Sequence, residues 1–376
     1  MRVALVCDWF LPRMGGIELH LRDLALAMRR AGVDARIVTT TRGAPVVDGV
    51  PVHRIPALLS PVGGFAFTPA ALTRVGALLR DEAFDVVHAH ASVVSPVAYA
   101  GAVAAARLGL PSLVTFHSML HRSALLLGAS ESLTGWTGGR VILSGVSSVV
   151  AAQAARWMPH ASVGVLPNGI DEAFWRTPPR PRAAGTVTVV TAMRLSRKKR
   201  PIELLAAFAN AVQFVAGAPQ LRLVIAGDGP ERDALRRRAL ELGLAERVSL
   251  PGQLSREALR DLYAESDVFV LPSERESFGI AALEARAAGL PVLAMLDSGA
   301  RDFLRQGENG LLARDMPELA RHIARLALDD AFRAYVAHRN ASTRTGYDWS
   351  DVIPAHLALY GVAARAAAGG RRPSLA

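Results

Sequence analysis

Two stretches of this chain combine residue types and spacings suited to holding a charged ligand. The first is Arg194-Leu195-Ser196-Arg197-Lys198-Lys199-Arg200-Pro201, a run with five cations that follows an apolar strand and ends on a proline able to open a helix. Lys198 and Lys199 are the only lysines among 43 basic residues. Where arginine serves everywhere else, a retained lysine pair marks a place that needs a compact ammonium. The second stretch runs from Pro272 to Glu284, beyond an apolar strand ending at Leu271. A helix is expected to begin there at Phe278 or Gly279, with Glu276 ahead of it and Glu284 about one and a half turns inside. A helix start offers unpaired N–H groups and a positive dipole end, which suit a diphosphate. A glycine at 279 lets the backbone come close to that ligand. The two carboxylates would then flank the diphosphate and reach hydroxyls on either side. Taken singly, Glu276 also reads as a dipole partner and Glu284 as a solvated helix residue.

The first half of the chain carries a Gly15-Gly16 pair beyond its first strand and three histidines at strand ends: His88, His90 and His117. His117 is the candidate for catalysis, His88 reads as packed, and His90 fits either role. No P-loop pattern and no G-x-G-x-x-G after the first strand are present, which argues against ATPase or dinucleotide chemistry. There is no G-x-S-x-G elbow for a nucleophilic serine. Neither a zinc-type His/Cys cluster nor a D-x-D element occurs, so the expected site uses no metal and no cofactor, and cations neutralise the diphosphate.

The elements that must position these residues read as alternating strands and helices. Expected strands are Val3 to Cys7, Ala35 to Thr40, Asp85 to His88, Ser112 to Phe116, Val141 to Val146 and Val163 to Leu166, with a helix from Ile17 to Arg30. Ala91 to Ala106 reads as an Ala-rich soluble helix, broken by polar residues and Pro96. Thr177 to Gly185 reads as a linker. A second series follows, with strands at Val187 to Ala192, Leu221 to Ala226, Val248 to Leu250, Val268 to Leu271 and Val292 to Met295. Trp349 to Ala364 is one more amphipathic helix, and Gly369 to Ala376 should fray. Such alternation implies doubly wound α/β sheets, with ligands beyond the strand C-termini. The 376 residues and 51% hydrophobic content suit two cores, and two such halves imply an intervening ligand cleft.

A net charge of +10 asks for an anionic partner. The arginines are scattered over helix faces without interleaved aromatics, so nucleic acid is not expected. Cys7 is the sole cysteine, and no long apolar run or signal-peptide core is seen, so the expected location is the cytoplasm. Peripheral contact with the inner face of the cell membrane is left open by Pro69 to Arg80, a mildly amphipathic segment that reads equally as a core-facing helix.

In order and spacing, these pieces resemble glycosyltransferase family 4, the retaining enzymes of the GT-B fold, over essentially the whole chain. The matching residues are Met14-Gly15-Gly16-Ile17-Glu18, His88-Ala89-His90, Thr115-Phe116-His117, Pro167-Asn168-Gly169-Ile170-Asp171, Arg194 with Lys199, Gly227-Asp228-Gly229-Pro230, and Glu276 to Glu284 as an E-x(7)-E. The opening Phe10 to Glu18 also looks like the catalytic subunit of phosphatidylinositol N-acetylglucosaminyltransferases. The resemblance implies two Rossmann-like doubly wound domains facing an interdomain cleft. One would span 1–170 plus 346–376, on the acceptor side, and the other 171–345, binding a nucleotide-sugar. It implies that Arg194 and Lys199 hold the diphosphate, with Gly16 approaching it. Glu276 would contact the donor sugar, Glu284 the ribose, Phe278, Gly279 and Ile280 the donor between them, and His117 the transferred sugar. The implied reaction moves a hexosyl or N-acetylhexosaminyl group from a UDP- or GDP-sugar to a hydroxyl of a lipid-linked, glycan or small-molecule acceptor. An epimerase or a phosphorylase on the same plan, and a non-enzymatic nucleic-acid binder, are the alternatives. Two departures stand out: Ser277 in place of a glycine, and Ser298-Gly299-Ala300-Arg301-Asp302 in place of G-G-x-P-E.

Overall fold

The computed structural model describes residues 1–55, 69–120, 125, 128, 141–159, 161, 163–178, 180, 185–217 and 219–369, with the backbone alone for 69–72. They form two compact units, Met1–Gly169 with Tyr347–Ala376, and Ile170–Gly346. Most of the expected linker and the chain beyond Gly369 lie outside the described residues.

The first unit is built on a sheet of eight strands: β1 (Arg2–Cys7), β2 (Asp34–Thr39), β3 (Val46–Val47), β4 (Val50–Arg54), β5 (Val86–Ala91), β6 (Ser112–Phe116), β7 (Val141–Gly145) and β8 (Val163–Val165). Their order is β3-β4-β2-β1-β5-β6-β7-β8, parallel throughout except for the β3–β4 hairpin. β5, β6 and β7 are buried along their whole length, as strands covered on both faces must be. The helix Gly16–Arg30 and the tail helix Trp349–Ala367 share one core with β1, through Leu21, Leu24 and Met28 on one side and Val352, Ile353 and Tyr360 on the other.

The second unit holds β9 (Thr186–Ala192), β10 (Gln220–Ala226), β11 (Val248–Gly252), β12 (Val268–Leu271), β13 (Val292–Met295) and β14 (Gly310–Ala313). The order β11-β10-β9-β12-β13-β14 reverses direction between β9 and β12. The first sheet reverses likewise between β1 and β5. At such a reversal the following helices diverge to opposite faces, which leaves a crevice beyond the strand ends where ligands bind.

The structure corrects the expected elements at several points. Ala91 is the last residue of β5, and the helix starts only at Pro96 and runs to Arg107, so the Ala-rich run is helical from Pro96 onward and its first residue belongs to the strand. Ala suits a helix by propensity, but here the sheet register decides: Ala91 pairs with Phe116. The β3–β4 hairpin turns at Asp48-Gly49, both in the left-handed region, and an Asp-Gly pair is a hairpin signal that the reading above passed over. Strand β14 has four residues and no alternation to reveal it. The helix Pro69–Asp81 directs Val75 and Leu79 into the core, the core-facing reading of that segment. No helix among the described residues is long and apolar enough to cross a membrane.

Candidate active site

In the second unit, both charged stretches sit at the C-terminal ends of the strands flanking the reversal. The loop after β9 is fixed by backbone bonds to the turn after β10: Met193 N–H donates to the Ala226 carbonyl at 3.0 Å, Leu195 N–H to that of Asp228 at 2.9 Å, and Glu231 N–H to that of Leu195 at 3.0 Å. Gly227-Asp228-Gly229-Pro230 is therefore a support for the basic loop. From that loop Lys199 Nζ reaches Glu276 Oε2 at 2.5 Å, beyond β12. Arg200 pairs with Glu274, and the Ser273 hydroxyl donates to the Lys198 carbonyl at 3.0 Å. These bonds tie the two loops together across the reversal.

The five cations thus do not act as one patch. Lys199 and Arg200 are matched by Glu276 and Glu274, and exposed Arg197 lies 3.6 Å from Glu231. Arg194 is exposed and has no ion pair or side-chain hydrogen bond among the described residues. Lys199 carries three N–H donors and spends one on Glu276, which leaves donors for a second anion.

The helix after this loop begins at Ile280, one or two residues later than the Phe278 or Gly279 start the sequence suggests, because Gly279 stands at φ 92° as its N-cap. A side chain there would be strained in the left-handed region and would meet Leu271 at 2.9 Å. Phe278 is fully buried against Phe303, so any ligand contact from it comes through its backbone. Glu284 is half-buried on the helix Ile280–Ala287. Burial, and then the charge of Glu284, raise the Tyr263 hydroxyl well above its ordinary range. The segment Ser298 to Asp302 packs directly on the Glu276 loop: Gly299 N–H donates to the Glu276 carbonyl at 2.8 Å. A Cβ at Gly299 would lie 2.1 Å from the Ser277 carbonyl oxygen.

In the first unit, the loop after β1 is anchored by Asp8, which sequence reading missed. Its main-chain carbonyl accepts from Thr39 and Thr40 hydroxyls, and its buried carboxylate receives the Val97 and Ala98 N–H groups at 3.0 and 3.4 Å. It thereby caps the helix that follows β5 from the end of β1. Burial raises this carboxyl to about 6 against the opposing pull of those bonds. Gly16 is the first residue of its helix, exposed, and a Cβ there would meet nothing within 4 Å. Glu18 folds back beneath Gly15, and Arg13 lies 3.5 Å from it and over the Trp9 ring.

Five histidines gather at the ends of β5 and β6. His88 and His90 point to the same face of β5, and their partners follow the strand period of two. His88 Nε2 lies 2.7 Å from Thr115 Oγ1, and His90 Nδ1 lies 2.9 Å from His117 Nε2. His20 comes from the helix Gly16–Arg30, its ring 5.4 Å from that of His117. His356 comes from the tail helix, 5.7 Å from His88, and Tyr360 places its hydroxyl 2.9 Å from His88 Nδ1. All five rings are buried. Burial and mutual repulsion hold His20, His88 and His90 neutral, well below the ordinary histidine range; burial, then His356, brings His117 to about 3; burial brings His356 to about 4. Among the described residues, no group of three or more His, Cys, Asp or Glu side chains is arranged to hold a metal ion.

Comparison with known proteins matches this layout. Residues 14–174 match the model for Glycosyltransferase Family 4, and residues 178–343 that for Glycosyl transferases group 1. A D-inositol 3-phosphate glycosyltransferase of Xylanimonas cellulosilytica is 30% identical, over 96% of this chain and 93% of its own. The chain belongs to glycosyltransferase family 4. A GDP-mannose-dependent alpha-mannosyltransferase of Mycolicibacterium smegmatis is 31% identical over 83% of this chain and 84% of its own. The structure of Anabaena Alr3699/HepE in complex with UDP superposes with a TM-score of 0.75 at 21% identity, over 95% of this chain and all of that one, which shows the GT-B fold.

In this glycosyltransferase the structure brings Lys199 to Glu276, with Gly279, Ile280 and Glu284 on the same loop and helix, and gathers His88, His90 and His117. His20, His356, Tyr360 and Asp8 were not singled out from the sequence. The readable signal for His356 was its place on a buried helical stripe with Val352, Ile353, Tyr360 and Ala363.

Two outcomes follow for the protein's stability. The folded enzyme keeps five histidines neutral that the unfolded chain protonates below about pH 6.5. Their stabilisation is complete above that pH and is lost as pH falls toward the buried values near 3 and 4. Asp8 works oppositely, gaining its proton in the folded state near pH 6, and offsets at most one histidine. One pH unit below the unfolded value costs about 1.4 kcal/mol per histidine. The thermal midpoint should therefore fall steeply between pH 7.5 and 5.5; a flat profile would contradict the buried neutral cluster. Gly299→Ala should cost about 2–4 kcal/mol by pushing the Ser277 backbone, read as a lower thermal midpoint together with weaker nucleotide binding.

Proposed function

We propose that this enzyme is a retaining hexosyl- or N-acetylhexosaminyltransferase that uses a UDP- or GDP-sugar without a metal. The acceptor is a hydroxyl on a lipid-linked, glycan or small-molecule partner. The observation that carries this reading is the 2.5 Å contact of Lys199 with Glu276 beside the Gly279 helix start, which joins residues 77 positions apart. Arg194 and the remaining N–H donors of Lys199 hold the diphosphate, and the start of the helix at Ile280 adds its positive dipole end. Glu276, oriented by Lys199, takes a sugar hydroxyl, and Glu284 takes the ribose. Gly16 presents backbone to a phosphate. His117 stands at the transferred sugar. The activities of the relatives, inositol-phosphate glycosyl transfer and GDP-mannose-dependent mannosyl transfer, agree with a nucleotide-sugar donor and favour a polyol acceptor. They give less support to the N-acetylglucosaminyltransferase likeness of the opening motif. With no membrane-crossing helix among the described residues, work in the cytoplasm or at the inner membrane face fits the reading.

In the reaction, the bond between the anomeric carbon and the β-phosphate oxygen breaks, and its electron pair stays on the phosphate. Arg194, Lys199 and the helix start stabilise that charge, each strong donor by about 3 kcal/mol. The acceptor oxygen bonds to the same face of the anomeric carbon while its proton passes to the departing phosphate oxygen. Configuration is thereby kept.

Lys199→Ala and Glu276→Gln should each lower kcat about 100- to 1000-fold while leaving the thermal midpoint within a few degrees. Full transfer activity in both variants, scored as release of nucleoside diphosphate, would overturn the site. Gly16→Ala provides a second check. Alanine favours a helix by about 1 kcal/mol over glycine, so the fold should hold or gain, while donor affinity measured by calorimetry should drop. Unchanged affinity would remove Gly16 from the donor site.

A further inference from the structure

The geometry points to His90 as a positioning residue that fixes the proton of His117 on Nδ1, so that His117 meets its ligand as a hydrogen-bond donor. This rests on the reading that His117 stands at the transferred sugar. His90 Nδ1 and His117 Nε2 are 2.9 Å apart, so one proton lies between two nitrogens. The backbone gives them little freedom. His117 N–H donates to the Ala91 carbonyl at 2.8 Å, and the register pairs His90 with Thr115 and Ala91 with Phe116. The other side of His90 is closed by the His88 ring, 4.0 Å away between centroids. His88 is held in turn by the Tyr360 hydroxyl and by Thr115, whose hydroxyl lies 2.7 Å from that of Ser144.

His90 Nε2 is buried with no hydrogen-bond partner among the described residues. Because each ring is neutral, each carries one N–H and one lone pair. Were the His90 proton on Nε2, a donor would be buried with nothing to receive it. With the proton on Nδ1, the orphaned atom is an acceptor, and buried orphan acceptors are the commoner kind. The penalty for an unmade buried donor sets the tautomer at about five to one or better. His90 therefore donates from Nδ1 to His117 Nε2, and the single proton of His117 is on Nδ1. That atom has no hydrogen-bond partner among the described residues and is not one of the sealed, unpartnered nitrogens. It offers an N–H to an oxygen of the donor sugar or of the departing phosphate. A lone pair for proton abstraction is not on that side, which agrees with the acceptor proton passing to the phosphate.

Imidazole nitrogen NMR on the 15N-labelled full chain, without ligand, reads the tautomer directly. In the wild type His117 should show a protonated Nδ1 and an unprotonated Nε2. In His90→Ala that preference should fall toward a mixture, with kcat lowered roughly ten- to a hundredfold and the donor KM little changed. His90→Asn, whose amide can donate from about the same place, should restore both. A wild-type His117 protonated on Nε2, or a tautomer indifferent to His90→Ala in a variant whose amide spectrum is folded, overturns the inference. The wild-type spectrum needs no variant to decide it. A fully active His117→Ala enzyme would instead refute the placement of His117 at the sugar, whatever the tautomer.

Discussion

An ammonium and a carboxylate meeting at the reversal of strand order, Lys199 on Glu276, are the contact on which the arrangement of the second unit's loops turns. Neither residue gains much stability from it. Lys199 is about one-third exposed and Glu276 about one-tenth, and an ion pair so placed recovers little more than the desolvation it costs. Its value lies in position. β9 and β12 are neighbours in the sheet although β10 and β11 lie between them in the chain. That topology brings two distant loops to one place, and the pair fixes their side chains there. The turn at Gly227 supports one loop from behind and the Gly299 segment supports the other.

The same arrangement recurs in the first unit with different chemistry. β1 and β5 flank the reversal, Asp8 at the end of β1 caps the helix after β5, and His88 and His90 close the end of β5. The second unit sets paired charges at its reversal, whereas the first gathers buried, neutral rings at its strand ends. The tail helix matters to this because it supplies Tyr360 and His356, so the last described helix of the chain helps to order a ring on its fifth strand. A truncation before Trp349 would expose the core shared with β1 as well as this cluster.

Much of the fold was legible because its strands are continuous apolar runs that end at loops with unusual composition. β6, β12 and β13 lie where the sequence placed them, and β1, β7 and β9 differ by one residue at one end. In the second unit, the placing of Lys199 and Glu276 beyond neighbouring strands was legible, since motif and strand ends coincide. Their pairing was not, because linear sequence shows five cations and hides the carboxylates that three of them meet. His20 and His356 escaped for a similar reason. Each lies on a helix whose apolar spacing explains it as core, and only the packing of four elements reveals that the histidines converge.

That convergence is the point at which local rules are broken together. Neutral histidines are poor core material, and the cluster leaves His20 Nδ1 and His90 Nε2 buried without hydrogen-bond partners among the described residues. A sequence selected for stability alone would have placed apolar side chains there. Tyr360, Thr115 and Ser144 satisfy the inner ring, His88, from two sides, so the unmet demand falls on the outer members of the group. Within such a deficit the proton goes where the orphan left behind costs least. The cost in acid stability and the definition of the His117 proton thus have one origin: imidazoles kept dry, neutral and just short of partners at the edge of a sheet.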